Sequence, residues 1–435
     1  MTKGKQYRHA DKTGPFTRCN TVPSRMNILF IHQNFPGQFK HLAPALAAQG
    51  HNVVALGVNA VPAPLPGVRH VYHQPTLLRA GSASQTPARL RGLHAKLLHG
   101  ESAAQSMAQL AAEGFVPDVV FAHPGWGEAL YAKDIFPAAR LLVYAEYFYG
   151  SPGGDVGFDP EFSRPTPAAM QAVRIKNTHL LHALSAADAA QSPTEFQRSQ
   201  HPAWSQQRIS VIHDGIDTDH FRPDPKASVR LNTSGLTLNA GDEVVTFVAR
   251  QLEPYRGYHT FMRALPELLR LRPQAQIVVV GGDGVSYGSA PPPGHKSWKQ
   301  MFLDEVSGQL DPRRIRFVGT VGHGDLRQLL QVSAAHVCLT YPFVLSWSMM
   351  EAMSIGVLIV GSRTAPVQEL IEHGRNGLLT DFFDANALAE TVADALAQGA
   401  ALNPLRYAAR QTIIDKYDLQ RHCLPAQIRF VSAAR

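Results

Sequence analysis

Residues 27–56 read NILFIHQNFPGQFKHLAPALAAQGHNVVAL and contain one complete strand–helix–strand unit. The apolar run 27–31 is typical of a strand that is buried on both faces of a parallel sheet. A turn through Gly37 follows, after which apolar residues recur at helical spacing until Gly50 ends the helix. The apolar run 53–56 predicts the next parallel strand. These residues therefore predict a βαβ unit of an α/β protein.

The same alternation continues along the chain. Residues 74–110 are predicted to be helical, residues 150–165 are predicted to form a loop, and further strands are predicted at 119–122 and 141–144. A second series begins after the proline-rich joint 222–225, with predicted strands at 244–248, 277–280, 315–318, 335–339 and 358–360. We therefore predict two Rossmann-like domains, residues 26–221 and 222–410, that face a central cleft, where such proteins bind ligands.

The bulk composition agrees with a globular protein of two domains. The chain has 435 residues, of which 45% are apolar and 17% are charged. No apolar run approaches the roughly 20 residues of a membrane-spanning helix, and the first 25 residues lack the apolar segment of a signal peptide. The three cysteines are widely spaced, which predicts neither a disulfide framework nor a metal cluster and favours a reducing cytoplasm.

The chain is basic, with a net charge of 41 − 34 = +7. Part of this charge lies in residues 1–25, which lack periodicity and are predicted to form a disordered basic tail. The rest of the chain has no nucleic-acid-binding motif, so we expect no nucleic-acid partner. The charge allows loose contact with an anionic membrane surface, although no basic amphipathic helix is evident.

Residues 341–356, YPFVLSWSMMEAMSIG, contain a strand end, a turn and a helix that Gly356 closes. Glu351 is the one acid in this segment. A carboxylate outside the carboxyl end of a parallel strand can bind the hydroxyls of a ribose, and free backbone N–H groups there can bind phosphate. Alternatively, Ser348 and Glu351 form a capping box that only starts the helix. The segment by itself leaves both interpretations open.

Three more polar side chains follow predicted strands. Arg250 ends the strand 244–248, and Arg256 follows six residues later, so the two guanidinium groups could hold a diphosphate. The alternative is a pair of solvated loop arginines. His123 follows the strand 119–122 and could contact a sugar hydroxyl or a phosphate, or it could be an ordinary loop histidine.

Other motifs argue against competing classes. The loop 281–284, GGDG, allows a close backbone approach but is not the G-x-G-x-x-G sequence of a dinucleotide-binding dehydrogenase, and no Walker sequence is present. Asp217 and Asp219 form a D-x-D sequence beside the interdomain joint, which is weak support for a metal site. No other spacing of histidines, cysteines and acids predicts a metal.

The chain after Met26 resembles the retaining glycosyltransferases of family 4, glycosyl transferase group 1, which have the GT-B fold. Six segments carry the resemblance in the family's order: FPGQF at 35–39, PDVVFAH at 117–123, IHDGID at 212–217, Arg250 with Arg256-Gly257, VGGDG at 280–284 followed by FVG at 317–319, and EAM at 351–353.

The resemblance implies the transfer of a sugar from a nucleotide-diphosphate sugar to a hydroxyl of a glycan or lipid-linked acceptor, with retention of configuration and without a metal or other cofactor. It implies a role in polysaccharide or glycoconjugate assembly, at the inner face of the membrane or free in the cytoplasm. It also implies that the last segment, residues 411–435, is a helix that crosses back onto the first domain.

The resemblance also implies roles for particular residues. The expected catalytic residues are His123 beside the transferred sugar, Arg250 and Arg256 at the leaving diphosphate, and Glu351 at the ribose. The expected donor-binding residues are Gly37, Gly282, Gly319, Leu345, Ser346, Trp347 and Glu351.

The chain departs from the family at two positions. The family has a Glu-x7-Glu motif, and its first acid, which is associated with the donor sugar, falls at Phe343 here. Arg256 stands where the family has a lysine, which keeps the charge but changes its geometry. Two alternatives therefore remain: a catalytically inactive GT-B protein that binds nucleotide sugar or glycan, and a GT-B sugar-nucleotide epimerase.

Overall fold

A computed structural model of the chain describes residues 25–60, 63–75, 86–150, 152–231 and 235–433. The predicted basic tail lies outside these ranges except for Arg25, and so does the part of the predicted helix 74–110 that spans residues 76–85.

The strands form two parallel sheets and one small hairpin. The first sheet contains β1 (Asn27–Ile31), β2 (Asn52–Gly57), β3 (Val68–Tyr72), β4 (Val119–Ala122), β5 (Arg140–Tyr144), β6 (Ala189–Ser192) and β7 (Ile209–Val211). The hairpin contains β8 (Ser228–Arg230) and β9 (Thr237–Asn239). The second sheet contains β10 (Val244–Gln251), β11 (Gln276–Gly282), β12 (Ile315–Gly319), β13 (Ala335–Cys338), β14 (Leu358–Ser362) and β15 (Leu378–Thr380).

Helices connect the strands and cover both faces of each sheet. The α-helices span Leu42–Ala48, Arg91–Ala112, Ala132–Ile135, Pro167–Ala186, Glu195–Ser199, Ala203–Gln206, Tyr258–Leu271, Trp298–Val306, His323–Gln331, Trp347–Ile355, Ala365–Gln368, Ala385–Gln398, Asn403–Tyr417 and Leu424–Ser432. Short 3-10 turns lie at Gly37–Phe39, Ala88–Leu90, Pro124–Trp126, Pro254–Arg256, Ser307–Gln309 and Gly399–Leu402, and a π-helical turn lies at Leu419–Cys423. No helix in the described ranges combines the length and the apolar character needed to cross a bilayer.

Both sheets have the doubly wound strand order. The first runs β3-β2-β1-β4-β5-β6-β7, and the second runs β12-β11-β10-β13-β14-β15. The direction of winding reverses between β1 and β4 in the first sheet and between β10 and β13 in the second. Ligands of such sheets bind in the crevice outside the carboxyl ends of the strands at this reversal. The strand order therefore places the loops after β1, β4, β10 and β13 at the candidate sites.

The last helix, Leu424–Ser432, returns to the first domain. The predicted single helix 411–435 is wrong in its extent, because residues 411–417 belong to the helix Asn403–Tyr417, which packs on the second domain. Phe430 and Val431 pack into the same core as Ile28 and Phe121 of the first sheet. Arg140, at the start of β5, donates hydrogen bonds to the carbonyl oxygens of Phe430 at 3.1 Å and Val431 at 3.3 Å. These bonds satisfy carbonyl groups that the end of a helix leaves without a partner. The C-terminal helix therefore packs on the first domain, although it follows the second domain in the sequence.

All the strands predicted from apolar runs are present, and the structure adds strands that the sequence did not predict. The predicted strands correspond to β1, β2, β4, β5 and β10 to β14. The additional strands β3, β6, β7 and β15, and the hairpin β8–β9, are three to five residues long and less apolar. Their pairing depends on neighbouring strands rather than on local pattern.

The loop after β5 reaches across to the second domain. We call residues 152–166 the bridging loop; the sequence predicted a loop here but not its packing. Phe158 contacts the ring of Tyr341 at 5.1 Å, and Phe162 contacts Trp298 at 5.2 Å. Both phenylalanines pack against the core of the second domain. This burial of aromatic surface holds the two domains together.

A buried carboxylate adds polar contacts to this interface. Asp159 of the bridging loop accepts a hydrogen bond from the hydroxyl of Tyr341 at 3.0 Å and lies 3.1 Å from Nε2 of His259. Burial raises the pKa of Asp159, but the contact with His259 and the other hydrogen bonds outweigh it and hold the pKa below the usual value for aspartate. Asp159 is therefore ionised at neutral pH and fully partnered.

Replacing Asp159 with alanine is expected to lower the free energy of unfolding by about 3–5 kcal/mol, because Tyr341 and His259 would be left buried without their partner. Urea unfolding followed by circular dichroism measures the loss. The matched control is Asp394→Ala, which removes an exposed aspartate from the helix Ala385–Gln398. Equal urea midpoints for the two variants would contradict the role of the bridging loop.

Candidate active site in the interdomain cleft

Two adjoining cavities occupy the cleft between the domains. The larger has a volume of about 760 Å³ and extends along the helices of the first domain, and the smaller has a volume of about 590 Å³ and lies between the two winding reversals. Six residues line both cavities: Asn34, Trp126, Tyr144, Glu146, Arg250 and Tyr287. The cavities therefore form one cleft with a shared central region.

The start of a helix faces the smaller cavity. Leu345, Ser346 and Trp347 line it, and the helix Trp347–Ile355 begins there with Ser346 as its N-cap. No side chain caps this helix, so its first backbone N–H groups keep the capacity to bind an anion. The macrodipole of the helix adds positive potential at the same place.

Glu351, on the same helix, also lines the smaller cavity. The capping-box interpretation is wrong for this residue, because the N-cap is Ser346 rather than Ser348. Burial raises the pKa of Glu351 to about 7, and the nearby charge of Lys40 opposes that shift. Nδ1 of His323 lies 3.7 Å from its carboxylate. Glu351 is thus a buried acid at the cavity wall that titrates near neutral pH.

Arg256 and Arg250 line the same cavity but differ in how firmly they are held. Arg256 donates from Nη1 to the hydroxyl of Thr340 at 3.1 Å and to the carbonyl of Val344 at 2.8 Å. Its guanidinium also lies 5.4 Å from the ring centre of Tyr287. Arg250 is exposed and forms no ion pair with a carboxylate of the described residues. One guanidinium is therefore fixed in the cavity, and the other is free to reach a ligand.

His123 is buried and lines the larger cavity but not the smaller one. Its Nδ1 accepts a hydrogen bond from the backbone N–H of Gly125 at 3.1 Å, so a neutral ring carries its proton on Nε2. That Nε2 lies 3.4 Å from Oε2 of Glu146. Glu146, the partner of His123, lines both cavities.

Glu146 is the central acid of the cleft, and the sequence analysis did not identify it. Its side chain is 35% exposed, and Oε1 accepts a hydrogen bond from Nε2 of Gln38 at 3.1 Å. Burial raises the pKa of Glu146, but the contact with His123 and the positive charge of Arg256 outweigh this effect, so the net shift of the pKa is downward. Glu146 is therefore ionised at neutral pH.

A second histidine fixes the orientation of this network. His32 accepts from the backbone N–H of Asn34 through Nδ1 at 3.0 Å, and its Nε2 lies 2.9 Å from Oε1 of Gln38. Burial lowers the pKa of His32 to about 3, and the neighbouring His123 adds to this effect. A neutral His32 thus orients Gln38 so that its amide N–H points at Glu146. The one sequence signal for Glu146 was its position two residues after the end of β5.

The three predicted donor-binding glycines have different positions. Gly37 lines the smaller cavity with a φ of +46°, and a Cβ there would collide with the imidazole of His32, so glycine is required. Gly282 and Gly319 do not line either cavity, whereas the adjacent Gly281 and the residues Thr320 and Val321 line the smaller one.

Phe343, in the position of the family's first acid, is buried away from both cavities. Its ring contacts Tyr147 at 4.6 Å, Tyr287 at 4.8 Å and Tyr255 at 5.4 Å. Only 1% of its surface is exposed. An acid of the first domain, Glu146, faces the cleft and lines both cavities. Within the described ranges, no group of three or more histidine, cysteine or acidic side chains is placed to hold a metal ion.

Two Rossmann-like domains with a ligand cleft at both winding reversals define the GT-B class of fold. Residues 49–221 match a family model described as the glycosyl transferase family 4 group, and residues 232–412 match the model for glycosyl transferases group 1. The chain belongs to the family 4, group 1 glycosyltransferases, which confirms the resemblance seen in its motifs.

Known proteins that are similar to this chain are also named as glycosyltransferases. D-inositol 3-phosphate glycosyltransferase 2 of Catenulispora acidiphila is 27% identical over 43% of this chain and 42% of its own length. The GDP-mannose-dependent alpha-(1-6)-phosphatidylinositol monomannoside mannosyltransferase of Mycobacterium tuberculosis is 25% identical over 70% of this chain and 75% of its own length. The chain spans about half the length of the first curated relatives it matches.

A solved structure shows the same fold across nearly the whole chain. The sucrose-phosphate synthase of Thermosynechococcus elongatus superposes with a TM-score of 0.70 over 93% of this chain and 98% of that one, at 18% identity. At this identity the likeness establishes the fold alone, and it confirms the predicted pair of Rossmann-like domains.

Proposed function

We propose that this protein transfers a sugar from a nucleotide-diphosphate sugar to an acceptor hydroxyl in glycoconjugate or polysaccharide assembly, with retention of configuration and without a metal ion. One observation carries the proposal: Arg250, Arg256, Glu351 and the uncapped start of the helix Trp347–Ile355 line a single cavity. The carboxylate of Glu351 suits the hydroxyls of a ribose, and the two arginines and the helix start suit the negative charge of a diphosphate. The GDP-mannose dependence named for the mycobacterial relative supports a donor of this class.

Each of these residues would contact a different part of the donor or the acceptor along the cleft. Glu351 would bind the ribose hydroxyls, while Arg256, Arg250 and the helix start would stabilise the charge that develops on the departing diphosphate. Glu146, at the junction of the two cavities, would accept hydrogen bonds from the transferred sugar in place of the family's acid at position 343. His123 would act through Glu146 by holding it in position. The acceptor, glycan or lipid-linked, would enter through the larger cavity.

The direct test is a panel of nucleotide-sugar donors, scored for nucleotide release with and without acceptors, followed by NMR of the product's anomeric configuration. We expect one donor to release nucleotide only when an acceptor is present and to give a product with the donor's configuration. An inverted product would overturn the retaining assignment. Activity that survives exhaustive chelation supports the metal-independent assignment, and its loss would overturn it.

The buried Phe343 favours a second candidate, a GT-B protein that binds nucleotide sugar or glycan without turnover. The cavity walls alone fit both candidates, because ribose and diphosphate binding do not need the sugar contacts that the missing acid would make. Calorimetric binding of UDP or GDP with no turnover of any donor would favour this candidate. Donor turnover in the absence of any acceptor would instead indicate an epimerase.

The pKa of Glu351 leads to a prediction about nucleotide binding. Glu351→Gln should weaken the binding of UDP or GDP about tenfold above pH 7. In this range the native side chain is a charged carboxylate, whereas glutamine is neutral. Below about pH 6 the native carboxyl is protonated, so the difference between the two proteins should nearly vanish. Calorimetric titration of both proteins across this range measures the ratio of their Kd values. A ratio that stays constant with pH would contradict the ribose role.

A further inference from the structure

The wall that the first domain contributes to the larger cavity is strongly basic. Arg89, Lys96 and Lys176 line it, and Arg250 lines it from the second domain. Lys96 belongs to the helix Arg91–Ala112 and Lys176 to the helix Pro167–Ala186, which pack side by side. Four cations from four elements thus face one cavity.

These cations are not neutralised by ion pairs within the described ranges. None of the four lies in an ion pair with a described carboxylate, whereas other arginines and lysines of the chain do form such pairs. The ammonium group of Lys176 lies 3.4 Å from the ring centre of Tyr149, which fixes its position without cancelling its charge. The cavity therefore holds oriented positive charge that an anionic ligand can use.

The pKa shifts of Lys96 and Lys176 agree with the presence of positive charge in this cavity wall. Burial lowers the pKa of Lys176 to about 8; Asp155 opposes the shift, while Lys96 adds to it. Burial also lowers the pKa of Lys96, against the opposing charge of Glu128. The cavity wall thus holds two cations close enough to repel each other, and a bound anion would relieve that repulsion.

We infer that the acceptor carries an anionic group, a phosphate or a carboxylate, and that Lys96 and Lys176 bind it in the larger cavity. The inference rests on the proposed transferase function. Glu146 and Arg250 line both cavities, so they mark the point where donor and acceptor meet. An acceptor whose anion lies between the two helices would direct its hydroxyl toward that point. Charge-assisted hydrogen bonds from ammonium groups suit either anion.

The first experiment titrates inorganic phosphate into protein saturated with UDP or GDP, so that the nucleotide occupies the smaller cavity. The double variant Lys96→Met, Lys176→Met should lose phosphate affinity about 10- to 100-fold. Lys226→Met, at an exposed lysine outside both cavities, should bind phosphate as the native protein does. Equal phosphate affinity in all three proteins would overturn the inference, and melting curves would verify that each is folded.

The second experiment identifies the source of the anion. Binding is compared for a hexose, the hexose phosphate, the hexuronate and vesicles that contain phosphatidylinositol, using the native protein and the double variant. The ligand whose affinity falls most in the double variant has the preferred anion. Equal binding of the neutral hexose and its anionic forms would overturn the inference. A failure of the proposed function would be seen separately, as an absence of nucleotide binding and donor turnover.

Discussion

Replacing Arg256 with methionine is expected to reduce kcat about 100- to 1000-fold on any donor that the native protein turns over. This is the typical loss when one preorganised donor to a developing negative charge is removed. Arg256 is preorganised because Thr340 and Val344 hold its Nη1 and because the rings of Tyr287 and Phe343 lie against its guanidinium. Nucleotide release at saturating donor measures the change.

One further variant separates charge from geometry at position 256, and two variants at other arginines serve as comparisons. Arg256→Lys restores the family's residue and keeps the charge, but it loses the planar fork that reaches Thr340 and Val344, so an intermediate kcat is expected. Arg250→Met should cost less than Arg256→Met, because Arg250 is not held by neighbours before the ligand binds. Arg230→Met, at an exposed arginine of the hairpin β8–β9, is the matched control. A folded Arg256→Met protein with near-native kcat would remove Arg256 from the reaction.

The position of these arginines could be predicted from the sequence for a simple physical reason. Parallel strands end at the same edge of their sheet, so side chains that follow different strands meet there although they are far apart in the chain. Arg250 is the next-to-last residue of β10, and Glu351 lies on the helix after β13, which pairs with β10. The apolar runs therefore predicted both the sheet and the cavity that these side chains line.

The rest of the site depends on contacts between segments that no local pattern links. Glu146 is followed by aromatic residues, and its importance appears only when Gln38 and His123 are seen to hold its two carboxylate oxygens. The bridging loop has the glycines and prolines of an ordinary surface loop, so the packing of Phe158 against the core of the second domain could not be predicted from its composition. The burial of Phe343 likewise depends on Tyr147 of the first domain.

Glu146→Gln is expected to lower kcat roughly 100-fold, because a sugar hydroxyl would lose a charged acceptor in the centre of the cleft. The amide also fits the network poorly. Its oxygen can still accept from Gln38, but its NH₂ group would then face Nε2 of His123, which carries the ring proton. Two donors would face each other, so the ring of His123 would have to change its tautomer or move.

The readout that identifies this role is the separation of turnover from nucleotide binding. Glu146 lies at the junction of the cavities, whereas the nucleotide is expected beside Glu351, so the affinity for UDP or GDP should change little in Glu146→Gln while kcat falls. The two acids should also differ in their pH dependence, because the pKa of Glu146 is lowered and that of Glu351 is raised to about 7. Burial also raises the pKa of Asp214, which lines the smaller cavity, to about 7. Acidification through neutral pH should therefore lower the activity of Glu146→Gln, and lower that of Glu351→Gln less, because Asp214 still titrates there but residue 351 does not. A parallel loss of nucleotide affinity and turnover in Glu146→Gln would instead indicate that Glu146 only maintains the shape of the cleft.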